Sequence, residues 1–177
     1  MVEELVAKDP LIKGIWCVPK YSNPTGISYS DETVRRFARL KPAAADFRIF
    51  WDNAYSIHHL YDDKRVVVLE LLNECIKVGN PDIVIKFIST SKVSFPGSGI
   101  AALAASRGNL EDARRYMKFQ TIGHDKLNQL RHVRYFKDML GVYEHMRKHA
   151  AILRPKFEKV DEVLTKELGG LGIGTWT

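Results

Sequence analysis

Cysteine is scarce in this chain: among 177 residues there are two, Cys17 and Cys75. They stand far apart in apolar surroundings and form no CxxC pair. That excludes a disulfide framework or a cysteine-rich metal site and points to a reducing compartment. Long hydrophobic runs are missing as well, since none reaches the roughly 18 apolar residues that span a bilayer. The first residues, MVEELVAKDP, are acidic and lack the basic-then-apolar order of a signal peptide. The expectation is a soluble, cytoplasmic protein with no membrane partner. There are no internal repeats, no low-complexity stretch, no zinc-finger spacing and no aromatic-basic signature of RNA-binding domains.

What is present is ordinary globular material, 45% hydrophobic, 27% charged and 10% aromatic, in a chain long enough to bury a core. The 27 basic and 21 acidic residues leave a net charge of +6. Basic residues are spread along the chain and mixed with acids: Arg107 to Leu168 holds 14 Lys/Arg and 9 Asp/Glu at helical spacing. A solvated helical face explains that pattern, and a basic site for a phosphorylated or dicarboxylate ligand is the other reading. Nucleic acid is not an expected partner.

Short apolar runs and breakers set out the elements. Residues 2–8 end a helix closed by Asp9-Pro10. Ile12–Val18 reads as a strand, and Pro19–Gly26 as a loop. Ser30, with Asp31 and Glu32 in the first turn, caps a helix to about Leu40. Phe47–Trp51 predicts a second strand ending at Asp52, and Val66–Val78 a helix stopped by Gly79-Asn80-Pro81. Ile83–Ile88 and Ile100–Ala105 predict two more strands. The runs lack strict alternation and helices separate the first three, which is the pattern of a mixed, mostly parallel sheet with helices on both faces, hence α/β. About ten residues separate the third and fourth strands, too few for a crossover helix, so that pair is expected to be antiparallel. After Asn109 the pattern is helical. Tyr143, Met146, Ala150, Leu153, Phe157, Val160, Leu164 and Leu168 keep an i+3/i+4 rhythm that reads as a packed core stripe, with Pro155 inside it. Leu168-Gly169-Gly170 ends that helix, and the last residues, LGIGTWT, resemble the approach to another strand.

Ligands of open α/β sheets bind beyond the carboxyl ends of the strands. There the sequence has Asn23-Pro24-Thr25-Gly26 after strand one, Asp52-Asn53-Ala54-Tyr55 after strand two and Ser89-Thr90-Ser91-Lys92 after strand three. Taken singly, each has a plain reading: a turn, a helix cap, a surface lysine. Together and in order they suggest more. A lysine among strand ends, its ammonium form disfavoured, can form a Schiff base with an aldehyde. A buried carboxylate beside it needs a cationic partner, such as a protonated pyridine nitrogen. Tyrosine and asparagine can hold a phenolate oxygen, while Ser89, Ser91 and the glycines of Phe95-Pro96-Gly97-Ser98-Gly99 offer donors to a phosphate.

The order NPTG, D-x-A-Y, S-x-S-K resembles the large domain of class I aminotransferases, the fold-type-I pyridoxal-phosphate enzymes. The segments IKGIWCVPKYSNPTG, FRIFWDNAYSIHHLY, STSKVSFPGSGIAA and QTIGHDKLNQLRHVRYFKD are closer still to aspartate aminotransferase-like proteins grouped with the MocR-associated aminotransferases. The resemblance covers nearly the whole chain. It implies that Lys92 holds pyridoxal 5'-phosphate as an aldimine and moves the substrate's Cα proton. It implies that Asp52 pairs with the pyridine nitrogen, that Asn23 and Tyr55 bond the ring oxygen, and that Ser89 binds the phosphate. The implied function is ping-pong transamination of aspartate or another acidic amino acid with a 2-oxo acid, in a homodimer. Residues 1–138 would be part of the cofactor-binding large domain, and 139–177 an interdomain helix and the start of a small domain.

Two departures accompany the resemblance. The family's phosphate-binding arginine, eight residues after the lysine, is replaced by Ile100, so the phosphate would rest on Ser89, Ser94, the Gly97-Ser98-Gly99 backbone or a residue outside this chain. The family's N-terminal segment and small domain also have no counterpart, so the chain reads as a central fragment with little activity alone. A non-catalytic effector-sensing domain of a transcription regulator is the alternative. His58-His59 reads as a histidine pair on a helix surface or the site wall rather than a metal site, since adjacent side chains diverge and no third ligand follows. Lys126, in a loop near the dimer seam of relatives, is a candidate for a partner's substrate carboxylate, with simple solvation as the other reading. No base accompanies Ser28 or Cys17, so hydrolase chemistry has no support.

Overall fold

Four strands form one sheet in the computed structural model, which describes residues 1–171. They are β1 (Gly14–Cys17), β2 (Arg48–Asp52), β3 (Val84–Ser89) and β4 (Ala101–Ala105), ordered β1-β2-β3-β4. The first three run parallel, and β4 pairs antiparallel with β3. The link between β3 and β4 is too short for a crossover, so the chain can only turn back. Six helices complete the fold: α1 (Val2–Lys8), α2 (Asp31–Ala38), α3 (Leu71–Lys77), α4 (Arg107–Thr121), α5 (Lys126–Phe136) and α6 (Met139–Leu168). The architecture is the expected α/β one with a mixed, mostly parallel sheet. Residues 172–177, where the sequence suggests the approach to a further strand, lie outside the described residues.

Alternation along β2 decides what is buried. Ile49 and Trp51 are buried with Val84 under α2 and α3, whose Val34, Ala38, Leu71 and Cys75 complete the core. Phe50 and Asp52 fall on the other face. There the rings of Trp16, Phe50 and Phe87 stack with centroids 5.5 to 6.1 Å apart, Trp16 being 62% exposed.

Helix starts follow their caps. Ser30 Oγ accepts from Thr33 N at 3.2 Å, and Asp138 Oδ1 accepts from Gly141 N at 3.0 Å. The helix expected from Val66 starts only at Leu71, because Glu70 is its cap. One Glu70 oxygen accepts from Asn73 N at 2.7 Å and the other pairs with Lys86, the lone charge within β3. Val68 and Leu69 still pack on the core, from outside the helix.

The apolar stripe of α6 is a larger correction. Met146 and Ala150 are buried, but Leu153, Phe157, Val160 and Leu164 are exposed, Phe157 and Val160 by 58% each. Met146, in the first half of α6, joins a buried cluster with Val93 and Phe136. The second half touches the body through polar contacts, Arg154 Nε donating to Leu60 O and Tyr61 Oη donating to Glu158, each at 2.8 Å, so among the described residues its apolar rhythm continues without a core to pack on.

Candidate active site

Four of the five predicted residues, Asp52, Tyr55, Ser89 and Lys92, lie at or just beyond the carboxyl ends of β2 and β3. Asp52 closes β2 at the level of Phe87, and Asn53 N donates to Phe87 O at 2.9 Å just beyond it. Ser89 lies two residues past Phe87, so Asp52 and Ser89 share one face of the sheet. Asp52 is half-buried, and among the described residues its carboxylate has no ion-pair partner. Tyr55 sits in the turn after β2, where Ser56 N and His58 N donate back to Asn53 O and Tyr55 O.

Lys92 lies in a single helical turn after β3, closed by Val93 N and Ser94 N donating to Thr90 O at 2.9 and 2.8 Å. Its Nζ stands 5.1 Å over the centre of the Tyr55 ring, so a cation there meets the negative face of the ring. Lys92 itself is exposed, and the shielding expected among strand ends is not supplied by the described residues. Asn23 is exposed on the β1–α2 loop, next to the cis Asn23–Pro24 bond, and no hydrogen bond joins it to the other four candidates among the described residues. The loop is nevertheless tied to the β2 exit. Lys20 Nζ donates to Ser56 O at 2.8 Å, and Tyr21 Oη lies 2.8 Å from His59 Nδ1. Burial holds the Lys20 ammonium below the usual lysine range, with Arg65 adding to the effect.

Ser94 turns inward: its Oγ lies 2.7 Å from His132 Nε2 and 3.2 Å from Thr90 O, which leaves it engaged rather than free for a phosphate. Ile100 is half-buried one residue before β4, not within it, and its N–H donates to Thr90 Oγ1 at 2.9 Å. Gly99 approaches the same segment closely, since a Cβ there would lie 3.1 Å from Ser91 Oγ and 3.2 Å from Ser91 N. Lys126 is the first residue of α5, capped by Asp125, and not part of the preceding loop.

Family membership rests on the whole chain. The family described as aspartate amino-transferase matches residues 1–177. This chain belongs to the aspartate aminotransferase family. Within that family, an aspartate aminotransferase of Corynebacterium glutamicum is 44% identical over 177 residues, covering 99% of this chain and 40% of that protein. A Mycolicibacterium smegmatis relative is 46% identical over the full chain, which covers 41% of its length. The crystal structure of an aspartate transaminase from Corynebacterium glutamicum superposes with a TM-score of 0.94 at 42% identity, over 99% of this chain and 41% of that one. The chain therefore spans about two fifths of the length of these relatives.

A pyridoxal phosphate would meet fitting residues here. The half-buried Asp52 carboxylate suits a protonated ring nitrogen, Tyr55 and Lys92 are already in contact, and Ser89 Oγ is a hydroxyl donor on the Asp52 face. The bare Cα of Gly99 keeps the β3–β4 link tight against the Ser89–Lys92 segment. Sequence reasoning offered His58 for a helix surface or the site wall but missed its bond to Lys92, and it missed His132 and His145 altogether. His58 Nε2 donates to Lys92 O at 3.0 Å, and His145 Nε2 to Val93 O at 2.8 Å. Burial, chiefly, keeps the His58 imidazolium disfavoured, and the charges of His149, Lys92 and Lys20 add to it. His132 and His145 lie in the helical run where spacing alone reports only periodicity.

Proposed function

We propose that the protein containing this chain is a pyridoxal-phosphate-dependent aminotransferase that moves an amino group between an acidic amino acid, aspartate foremost, and a 2-oxo acid. Lys92, Asp52, Asn23, Tyr55 and Ser89 are its site residues. The observation that carries this reading is the Lys92 ammonium resting over Tyr55 at the strand edge that also ends in Asp52 and Ser89. Bound pyridoxal phosphate supplies an electron sink that stabilises negative charge at the substrate Cα.

The chain's own groups do the rest. Lys92 Nζ takes the Cα proton and returns it, which requires the amine to be free of other partners at that moment. Asp52 holds the proton of the ring nitrogen. Tyr55 Oη and the Asn23 amide donate to the ring oxygen. Ser89 Oγ donates to the phosphate and takes over part of the task of the family's arginine, whose position Ile100 occupies. Residues 1–138 are part of the cofactor-binding large domain and 139–177 the interdomain helix and the start of a small domain, in a cytoplasmic homodimer close to the MocR-associated subgroup. The full-length protein is expected to convert aspartate and 2-oxoglutarate to oxaloacetate and glutamate, and Lys92→Ala to lower turnover about a thousandfold or more. Turnover untouched by Lys92→Ala would exclude this mechanism.

A further inference from the structure

Three side chains from three separate elements converge on the turn that carries Lys92. His58 comes from the loop after β2, and its Nε2 donates to the carbonyl of Lys92 itself at 3.0 Å. His145 comes from α6, and its Nε2 donates to the next carbonyl, Val93 O, at 2.8 Å. His132 comes from α5, with Nε2 2.9 Å from Thr90 Oγ1 and 2.7 Å from Ser94 Oγ, at the two ends of the turn. A carbonyl can only accept, so His58 and His145 each carry their proton on Nε2. His132 Nδ1 faces Asn128 O at 2.7 Å and must donate there, which leaves Nε2 free to accept from a hydroxyl when the ring is neutral.

The geometry has a chemical consequence. A one-turn helical segment leaves its last carbonyls without intrahelical partners, free to tilt unless something holds them. Here both carbonyls flanking the Val93 amide are held, from opposite sides of the sequence. The His58 ring also packs edge-on against Tyr55, centroids 5.5 Å apart, and Tyr55 is the ring under the Lys92 ammonium. His58 therefore touches both ends of the lysine's surroundings: its backbone and its aromatic rest. Among the described residues His58 Nδ1 is buried without a hydrogen-bond partner, so the contacts of the ring are those of Nε2 and of its face toward Tyr55.

We propose that His58, His132 and His145 are positioning residues, a cradle that fixes the Lys92 turn so that the amine swings from a stationary backbone. The proposal rests on the aminotransferase reading for the task of Lys92, but the cradle itself is a property of the protein without cofactor. It predicts that accuracy at Nζ suffers when a carbonyl is released, because reacting groups must be held within a few tenths of an ångström to act well.

The test compares His58→Leu with His58→Gln, and His145→Leu with His145→Gln, in the full-length protein. A glutamine amide reaches the place of Nε2 and still donates; leucine fills the space and cannot. Two readouts are taken. In the unloaded protein, amide hydrogen exchange across residues 90–94 should speed up about fivefold or more in each leucine variant and stay near wild type in the glutamine variants, the scale of one missing hydrogen bond. In the cofactor-loaded protein, the pH midpoint of the visible band should move by about half a unit in the leucine variants and be restored by glutamine. Leucine variants that match wild type in both readouts overturn the cradle. So do glutamine variants that fail as badly as leucine, since packing alone would then be at work. If a leucine variant does not fold, its glutamine partner decides: near-wild-type exchange and midpoint support the cradle, and disturbed ones overturn it. Should wild type show no lysine-bound visible band, the aminotransferase reading falls by itself, and the exchange measurement still decides the cradle.

Discussion

The hydroxyl of Tyr21 and Nδ1 of His59 lie 2.8 Å apart, across the gap between the loop that follows β1 and the loop that follows β2. The same hydroxyl accepts from Val66 N at 3.3 Å, so one side chain joins the Asn23 loop to the chain on both sides of the Asp62–Arg65 corner. Tyr21→Phe should loosen the Asn23 loop without unfolding the protein. The expected result is a stability loss of about 1 kcal/mol and cofactor affinity weaker by about fivefold. A urea titration and a cofactor-binding titration measure the two effects; unchanged affinity would detach Asn23 from the cofactor.

Gly14 is held by close approach. A Cβ there would stand 2.7 Å from the carbonyl oxygen of Arg48 and 3.1 Å from the Phe50 ring, both parts of the neighbouring strand. Gly14→Ala must push β1 off β2 or turn Phe50 out of its stack with Trp16 and Phe87. The expected cost is about 1–3 kcal/mol, read as a lower urea midpoint at unchanged slope.

Much of this fold is legible in the sequence. The strands are short apolar runs bounded by breakers, and each lies within about two residues of where those runs put it. The antiparallel β4 follows from the short link alone. Two expectations fail for the same reason: apolar periodicity reports what a segment is able to bury, not what lies beside it. Val66–Leu69 carries helix-compatible residues but lies outside the helix, because Glu70 serves as the cap and the ion-pair partner of Lys86. The α6 stripe outruns its neighbours. At the site, the ends of the strands locate Asp52, Tyr55, Ser89 and Lys92. The bonds of the histidines to the Lys92 turn are out of reach of such reading, even for His58, which the sequence offers for the site wall, since His58, His132 and His145 contact this turn across 34, 38 and 52 residues of chain.

Stability should fall on mild acidification. His58, His59 and His149 all have imidazolium forms held below the usual histidine range, each chiefly by burial. As pH falls through about 6.5 the unfolded chain takes up these protons first, so the folded state loses ground until its own, lower values are reached; above about 6.5 the loss is absent. The melting temperature should therefore drop between about pH 7 and pH 5, and His149→Gln should flatten part of the drop. A melting temperature that is level over this range would contradict the burial of these rings.

Cys17 and Cys75 should be inert in the folded protein. Burial pushes their thiols up to about 11 and about 12. The reactive thiolate is then negligible near about pH 8, and native protein should resist iodoacetamide while urea-unfolded protein reacts at both sites. The sign reverses at high pH: the unfolded thiols ionise first above about pH 8.5, so stability falls as pH rises beyond it. Fast alkylation of either cysteine in the native protein would contradict the packing around α3 and β1.

Lys92 is the residue proposed to bond the cofactor. Borohydride reduction of the full-length protein with pyridoxal phosphate, followed by trypsin and mass mapping, tests this assignment most directly. Reduction blocks cleavage at a modified lysine, so the assignment predicts a single labelled peptide running from Phe87 to Arg107, absent in Lys92→Ala. A label at another lysine, or one that persists in Lys92→Ala, would contradict it.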